Sequence, residues 1–350
     1  MIELGILGSG VMLQWHLHGI TGNEGIRVAA IASRNSETGF AAAESLGANY
    51  YKTHTEMFQK ERLDGIVVLL PNYLHADVCS DAIDAGIKFI LCEKTLGNDL
   101  DRSKELVEKV LSNDTQLQVG YMKRFNPGFM KVKEILGFIE PVQFVSFTTT
   151  ESGSANQVSQ RDASPWKTDL IMSGGGNLTN VGSHNIDLIR FLFGEAYAVS
   201  CKLRFDSQND LEYYANGRLF MESGIDVDLR IGRVDVPDLG PDWEPFTGGW
   251  NETLEIIGDG GYVRVANSTW EGFGPIKATY WLKGMPGPTI EYFDSKQQWV
   301  NEMANFAESI RCGKLMPDAT TAEDALKVDN IVRHMRRSNE NNGEVLKINF

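Results

Sequence analysis

Cysteine is scarce in this chain. The 350 residues include four, Cys79, Cys92, Cys201 and Cys312, and no two form a CxxC pair or a metal-ligand spacing. No metal is expected, and four ordinary thiols suit a reducing cytoplasm. Positive charge is also short. Against 47 Asp and Glu stand 33 Lys and Arg, a formal net charge of −14. Such a chain repels phosphate backbones and anionic membranes at long range, so neither nucleic acid nor membrane is an expected partner. Long apolar runs are missing, and Gly65 to Pro71 has the length of a strand rather than of a membrane span. The opening MIELGILGSG has no basic start and no apolar stretch of signal-peptide length, which again predicts a cytoplasmic protein. No HExxH, no GxSxG and no GxxxxGK followed by Ser or Thr occurs. His16 and His18 are two apart, so they share no helix face and make a poor metal pair.

What is present divides into two patterns. Through about residue 120, apolar strand segments alternate with helical ones: strands at Ile2–Leu7, Arg27–Ala32, Gly65–Leu70, Lys88–Leu91 and Gln116–Tyr121, helices at Val11–Gly19, Glu37–Leu46, Ala76–Ala85 and Leu100–Leu111. Strands that are apolar throughout, each followed by a helix, predict a parallel sheet covered on both faces, a doubly wound Rossmann domain over 1–124. Beyond a helix at Gly128–Leu136, alternating β-rich stretches take over, at Val142–Thr150, Val199–Phe205, Arg218–Phe220, Ile225–Ile231, Thr253–Ile257 and Tyr262–Val265. They predict an α/β domain over 125–350 built on a large, mostly antiparallel open sheet. One helix near Ser183–Phe193 interrupts it, and two amphipathic helices near Lys296–Arg311 and Thr321–Arg337 close the chain and can pack back on the first domain.

The first strand ends in Gly8-Ser9-Gly10-Val11-Met12-Leu13. A dinucleotide pyrophosphate needs a tight turn, a close backbone approach and a helix N-terminus aimed at it, and Gly8 and Gly10 meet the first two needs. Leu13 stands where a third glycine is usual. The second strand ends in Ser33-Arg34. An acidic residue there would accept from the ribose 2′-hydroxyl, whereas Ser33 and Arg34 tolerate a 2′-phosphate, which favours NADP over NAD.

Four further segments carry a family resemblance: Pro71-Asn72-Tyr73-Leu74-His75; Glu93-Lys94-Thr95; Val119-Gly120-Tyr121 through Arg124-Phe125-Asn126-Pro127; and Gly174-Gly175-Gly176-Asn177-Leu178-Thr179-Asn180-Val181-Gly182-Ser183-His184-Asn185-Ile186-Asp187. In this order they resemble the glucose–fructose oxidoreductase/inositol dehydrogenase (Gfo/Idh/MocA) family, whose pattern is TPNxxH, EKP, VGFxxRFxP and GGGxLxDxGxHxxD. The resemblance implies a hydride transfer between NAD(P) and a secondary alcohol carbon of a sugar, sugar phosphate or cyclitol. It implies Lys94 and His184 as the catalytic pair, with His184 the acid/base. It places Pro71, Asn72, His75, Glu93 and Lys94 beside the cofactor, with Gly8, Ser9, Gly10, Val11, Met12, Ser33 and Arg34. Substrate contacts are expected from Lys94, Tyr121, Arg124, Trp166, Lys167, Asn180 and His184. Lys123 and Arg124 read equally as a solvated pair, and Asp187 as a core residue. Two positions depart from the pattern. Asn180 replaces an aspartate and cannot take a proton, and Thr95 replaces a proline. Both departures favour the rival reading, a non-catalytic cofactor-binding sensor. A homodimer or homotetramer is expected, because a broad open sheet must cover its free face.

Overall fold

In a computed structural model, residues 1–151, 165–233, 250–267 and 275–349 are described. Contacts divide the chain into two units. The first comprises Met1–Met122, Ile171–Gly174 and Gln298–Lys327, and the second Lys123–Leu170, Gly175–Gln297 and Val328–Phe350.

The first unit is built on a six-stranded parallel sheet in the order β3-β2-β1-β4-β5-β6. The strands are β1 (Ile2–Leu7), β2 (Ile26–Ala32), β3 (Asn49–Tyr51), β4 (Gly65–Val68), β5 (Phe89–Glu93) and β6 (Gln116–Gly120). The order reverses between β1 and β4, the switch point where α/β sheets open a ligand crevice at their carboxyl ends. Apolar residues of β1, β2, β4 and β5 pack with Met303 and Phe306 of the helix Gln297–Cys312. So that helix, remote in sequence, completes this core. The three-residue β3 and the helix His54–Lys60 are additions to the expected pattern.

The second unit carries a nine-stranded sheet in the order β14-β13-β12-β11-β7-β10-β9-β8-β15. Its strands are β7 (Val142–Glu151), β8 (Ala196–Phe205), β9 (Glu212–Met221), β10 (Asp226–Arg233), β11 (Trp250–Gly258), β12 (Gly261–Asn267), β13 (Pro275–Leu282), β14 (Thr289–Asp294) and β15 (Leu346–Lys347). Every pairing is antiparallel except β7 with β10. The register puts Val145, Phe147, Leu229, Leu254, Leu219 and Val265 among the buried residues of the sheet. Phe129 of the helix Pro127–Ile139 meets Phe147 edge-on at 5.8 Å, so that helix covers this face. The helix Ser183–Phe193 is tied to it by Asn185 Nδ2, which donates to Thr149 Oγ1 at 2.8 Å. The opposite face is exposed. Cross-strand partners there run Phe144, Ile257, Tyr262 and Trp281, with Ile290 and Tyr292 on the neighbouring edge strand. No helix among the described residues is long and apolar enough to cross a membrane.

Candidate active site

The turn after β1 has the geometry a pyrophosphate requires. Gly8 has φ +108°, and a Cβ there would sit 2.5 Å from the Leu69 carbonyl oxygen, so only glycine fits. A Cβ on Gly10 would meet nothing within 4 Å, which leaves open space beside the backbone. The helix Leu13–Thr21 follows directly, its N-terminus beside the turn and its Met12 N-cap engaged by no side chain. Leu13 is buried in the core of the sheet, where a leucine is at home. The close approach passes to Gly19, whose Cβ would lie 2.5 Å from the Trp299 carbonyl oxygen. The residues present thus fit a dinucleotide.

At the carboxyl ends of β1 and β2, Ser9 Oγ shares 2.7 Å hydrogen bonds with both Ser33 Oγ and Thr38 Oγ1. Arg34 is exposed beside them. Asn35 Oδ1 accepts from the Glu37 and Thr38 amides and caps the helix Ser36–Leu46. Sequence reasoning did not find Thr38, although its place in the first turn of that helix was readable.

The ends of β4 and β5 are laced together. Asn72 is buried, and its Nδ2 donates to the Ser173 carbonyl at 2.7 Å. The turn after Pro71 is therefore fixed to Ile171–Gly174. His75 is fully buried with Nδ1 2.7 Å from the Thr95 carbonyl and Nε2 2.8 Å from the Leu70 carbonyl. Burial lowers its pKa more than the two carbonyls raise it, so a neutral ring donates to one of them. His75 is thus a strut between two loops rather than a group presented to a ligand. Lys94 is half-buried and Tyr121 fully buried. The Lys94–Thr95 peptide is cis. Glu93 turns inward, where His16 Nε2 approaches its Oε1 at 2.7 Å.

In the second unit, the two cations after β6 are neither solvated nor open to a phosphate. Arg124 gives Nε and Nη2 to Asp187 at 2.8 and 2.7 Å, with both side chains buried. Lys123 pairs with buried Glu252 and lies 5.8 Å from the Trp250 ring centroid. Arg124, expected at the substrate, here has its fork filled by a carboxylate. The glycine run ends in a single π-helical turn, Leu178–Gly182, directly before the helix that begins at Ser183. Asn180 is exposed on that turn, and His184 is buried in the first turn that follows. π-turns inside helices concentrate at functional sites. Arg336 anchors this one by donating to Thr179 Oγ1 at 2.6 Å and Glu212 Oε1 at 2.8 Å. A Cβ on Gly175 would fall 1.5 Å from the same Arg336 nitrogen, which explains a glycine there. Trp166 and Lys167 sit half-buried on a 3-10 turn, the ammonium 5.8 Å from the ring centroid.

Residues 2–121 match the model of an oxidoreductase family with an NAD-binding Rossmann fold, and residues 137–264 match the GFO/IDH/MocA C-terminal domain. The chain is 25% identical to an uncharacterized oxidoreductase of Bacillus subtilis, over 96% of this chain and 94% of that one. It is 30% identical to the inositol 2-dehydrogenase of Rhizobium meliloti, over 55% of this chain and 56% of that enzyme. Among solved structures, the myo-inositol 2-dehydrogenase of Lactobacillus plantarum superposes with a TM-score of 0.79 at 21% identity, covering 99% of each chain.

Proposed function

We propose a function for this chain on one premise: it belongs to the Gfo/Idh/MocA family of oxidoreductases. It is an NAD(P)-dependent oxidoreductase acting on the CH–OH group of a sugar or cyclitol. The observation that carries the reading is the Gly8–Leu13 turn, shaped for a pyrophosphate, on a sheet whose β5 ends at Glu93, directly before Lys94. A bound nicotinamide supplies the hydride acceptor, and this chain supplies orientation and proton control. Gly8, Ser9, Gly10, Val11 and Met12 hold the pyrophosphate, and Pro71 and Asn72 border the nicotinamide. The Ser9, Ser33 and Thr38 hydroxyls with Arg34 receive the adenosine ribose. No carboxylate stands among these four, so NADP is preferred over NAD.

For the chemistry, Lys94 orients the reacting hydroxyl and stabilises its oxygen as the carbonyl forms. His184 takes the hydroxyl proton, since the amide of Asn180 can orient a hydroxyl but cannot accept its proton. Tyr121, Trp166 and Lys167 complete the substrate set, and Arg124 leaves it for the Asp187 ion pair. Incubating the protein with NADP or NAD and a panel of cyclitols, sugars and sugar phosphates, with absorbance as readout, tests this. Reduced cofactor should accumulate with at least one polyol. No reduction with any member, while cofactor still binds, favours the sensor reading.

The protein works as a homodimer or homotetramer in the cytoplasm. Support for the assembly is the apolar end of the open sheet face, where Phe144 is 69% and Tyr292 62% exposed. Patches of this kind mark protein contacts. Support for the compartment is four cysteines that are all free.

A further inference from the structure

Behind Lys94 lies a buried polar group that the proposed mechanism does not use. Alternate residues of a strand share a face, so Leu91 and Glu93 of β5 point the same way. Leu91 packs with Met303 and Phe306, so this face is covered by the helix Gln297–Cys312. That helix brings Glu302, 1% exposed, onto the buried face it shares with Trp299, Met303 and Phe306. The helix Leu13–Thr21 brings His16, also 1% exposed, whose ring is fixed edge-on against Trp299 at 5.3 Å. His16 Nε2 lies 2.7 Å from Glu93 Oε1, and the Lys94 amide donates to Glu93 Oε2 at 3.2 Å. Both oxygens of Glu93 therefore have donors. Glu302 Oε1 meets no hydrogen-bond partner among the described residues.

We propose that His16, Glu93 and Glu302 form a buried set in which Glu302 keeps its proton, Glu93 keeps its charge, and the carboxylate of Glu93, held by His16, positions Lys94 through its backbone amide. The proposal rests on the dehydrogenase reading only for the role of Lys94. Two carboxylates in one dry region cannot both ionise cheaply, so their environments separate them. Burial, with the charge of Glu93, holds the Glu302 carboxyl well above the usual range. Burial would raise Glu93 as well. The His16 hydrogen bond and the positive charge of Lys94 outweigh it, and Glu93 ends below its ordinary value. His16, His75, Lys94, Glu302 and the neighbouring Cys92 are titratable groups whose fields meet that of Glu93 among the described residues. His16 is thus a positioning residue. It links the helix that follows the phosphate turn to the strand end that carries Lys94.

The sign of the pH effect follows. Glu93 loses its charge as pH falls through its lowered pKa. Without His16 that pKa rises, so the charge is lost at higher pH. His16→Ala should move the acid limb of the kcat profile upward, and His16→Gln, which restores an N–H donor, should move it back. The second arm needs no cofactor. Isotope-edited infrared spectroscopy of the full-length apo chain at neutral pH should show a carboxylic-acid carbonyl band that vanishes in Glu302→Gln and survives in Glu93→Gln. A band insensitive to Glu302→Gln, or an acid limb that His16→Ala leaves in place, overturns the proposal. If His16→Ala does not fold, the His16→Gln profile and the infrared pair decide. If the wild type oxidises no polyol, the dehydrogenase reading fails and the infrared band still places the proton.

Discussion

Asp187→Ala removes the carboxylate that pairs with the buried Arg124 guanidinium, and the structure sets the size of the consequence. Arg124 gives Asp187 two hydrogen bonds, at 2.7 and 2.8 Å, with side chains 5% and 0% exposed. Breaking a buried pair by removing one partner costs about 3–5 kcal/mol, because the remaining charge stays desolvated. A domain holds only about 5–15 kcal/mol of stability, so this is a large share. At about 2–4 °C per kcal/mol for 150–250 residues, the melting temperature should fall by roughly 6–20 °C. Arg124 also stacks on Phe191, 4.8 Å from the ring centroid, and Asp187 and Phe191 both lie on the helix Ser183–Phe193 that carries His184. Turnover should therefore fall together with stability. The double replacement Arg124→Met with Asp187→Leu removes both charges and should recover most of the lost stability. Differential scanning calorimetry on the three variants measures this. A shift under about 2 °C for Asp187→Ala, or a double variant no better than the single, refutes the ion pair as a structural anchor. If Arg124 held a substrate phosphate instead, Arg124→Met would raise KM and leave the melting temperature in place.

Three shorter predictions accompany it. Gly175→Ala should lower turnover and stability together, because the new methyl would displace the Arg336 nitrogen that holds Thr179 and Glu212; retention of both in a steady-state assay and a melt would show that the π-turn does not depend on Arg336. Ser33→Asp should shift cofactor preference toward NAD, since a carboxylate repels a 2′-phosphate and accepts from a 2′-hydroxyl; fluorescence titration with both cofactors checks it, and an unchanged ratio contradicts it. Trp281→Glu, at a position 52% exposed on the open sheet face, should lower the mass seen by light scattering, and a wild type that is already monomeric at micromolar concentration sinks the assembly.

The elements that sequence periodicity reveals are those with a one-sided or fully buried pattern. β1, β2, β4 and the helix Ser183–Phe193 follow that pattern and fall close to their expected ranges. β3 is one exposed and two half-buried residues, and β14 alternates half-buried and exposed positions at the sheet edge, so neither has a strong apolar signature. At the proposed site, Lys94 and His184 stand out because each sits in a dense local motif. The roles of Lys123 and Arg124 were not, because their partners lie 129 and 63 residues away in sequence. His16 and Glu302 carried a weaker signal: each is a polar residue on the apolar face of its helix, beside buried Leu13 and Ile20 or Trp299 and Met303. A polar group in such a place needs a partner, and only the fold shows which one.

The central claim is hydride transfer from a polyol with His184 as the proton acceptor and Lys94 as its aid. Its most direct test is the turnover of wild type, His184→Ala and Lys94→Ala on one polyol, followed by cofactor reduction across a pH series. His184→Ala should lose about 10²–10⁴-fold in kcat, the range of a positioned acid/base, with cofactor affinity nearly unchanged. Lys94→Ala should lose turnover as well. A His184→Ala enzyme with the turnover and pH profile of the wild type would contradict the account.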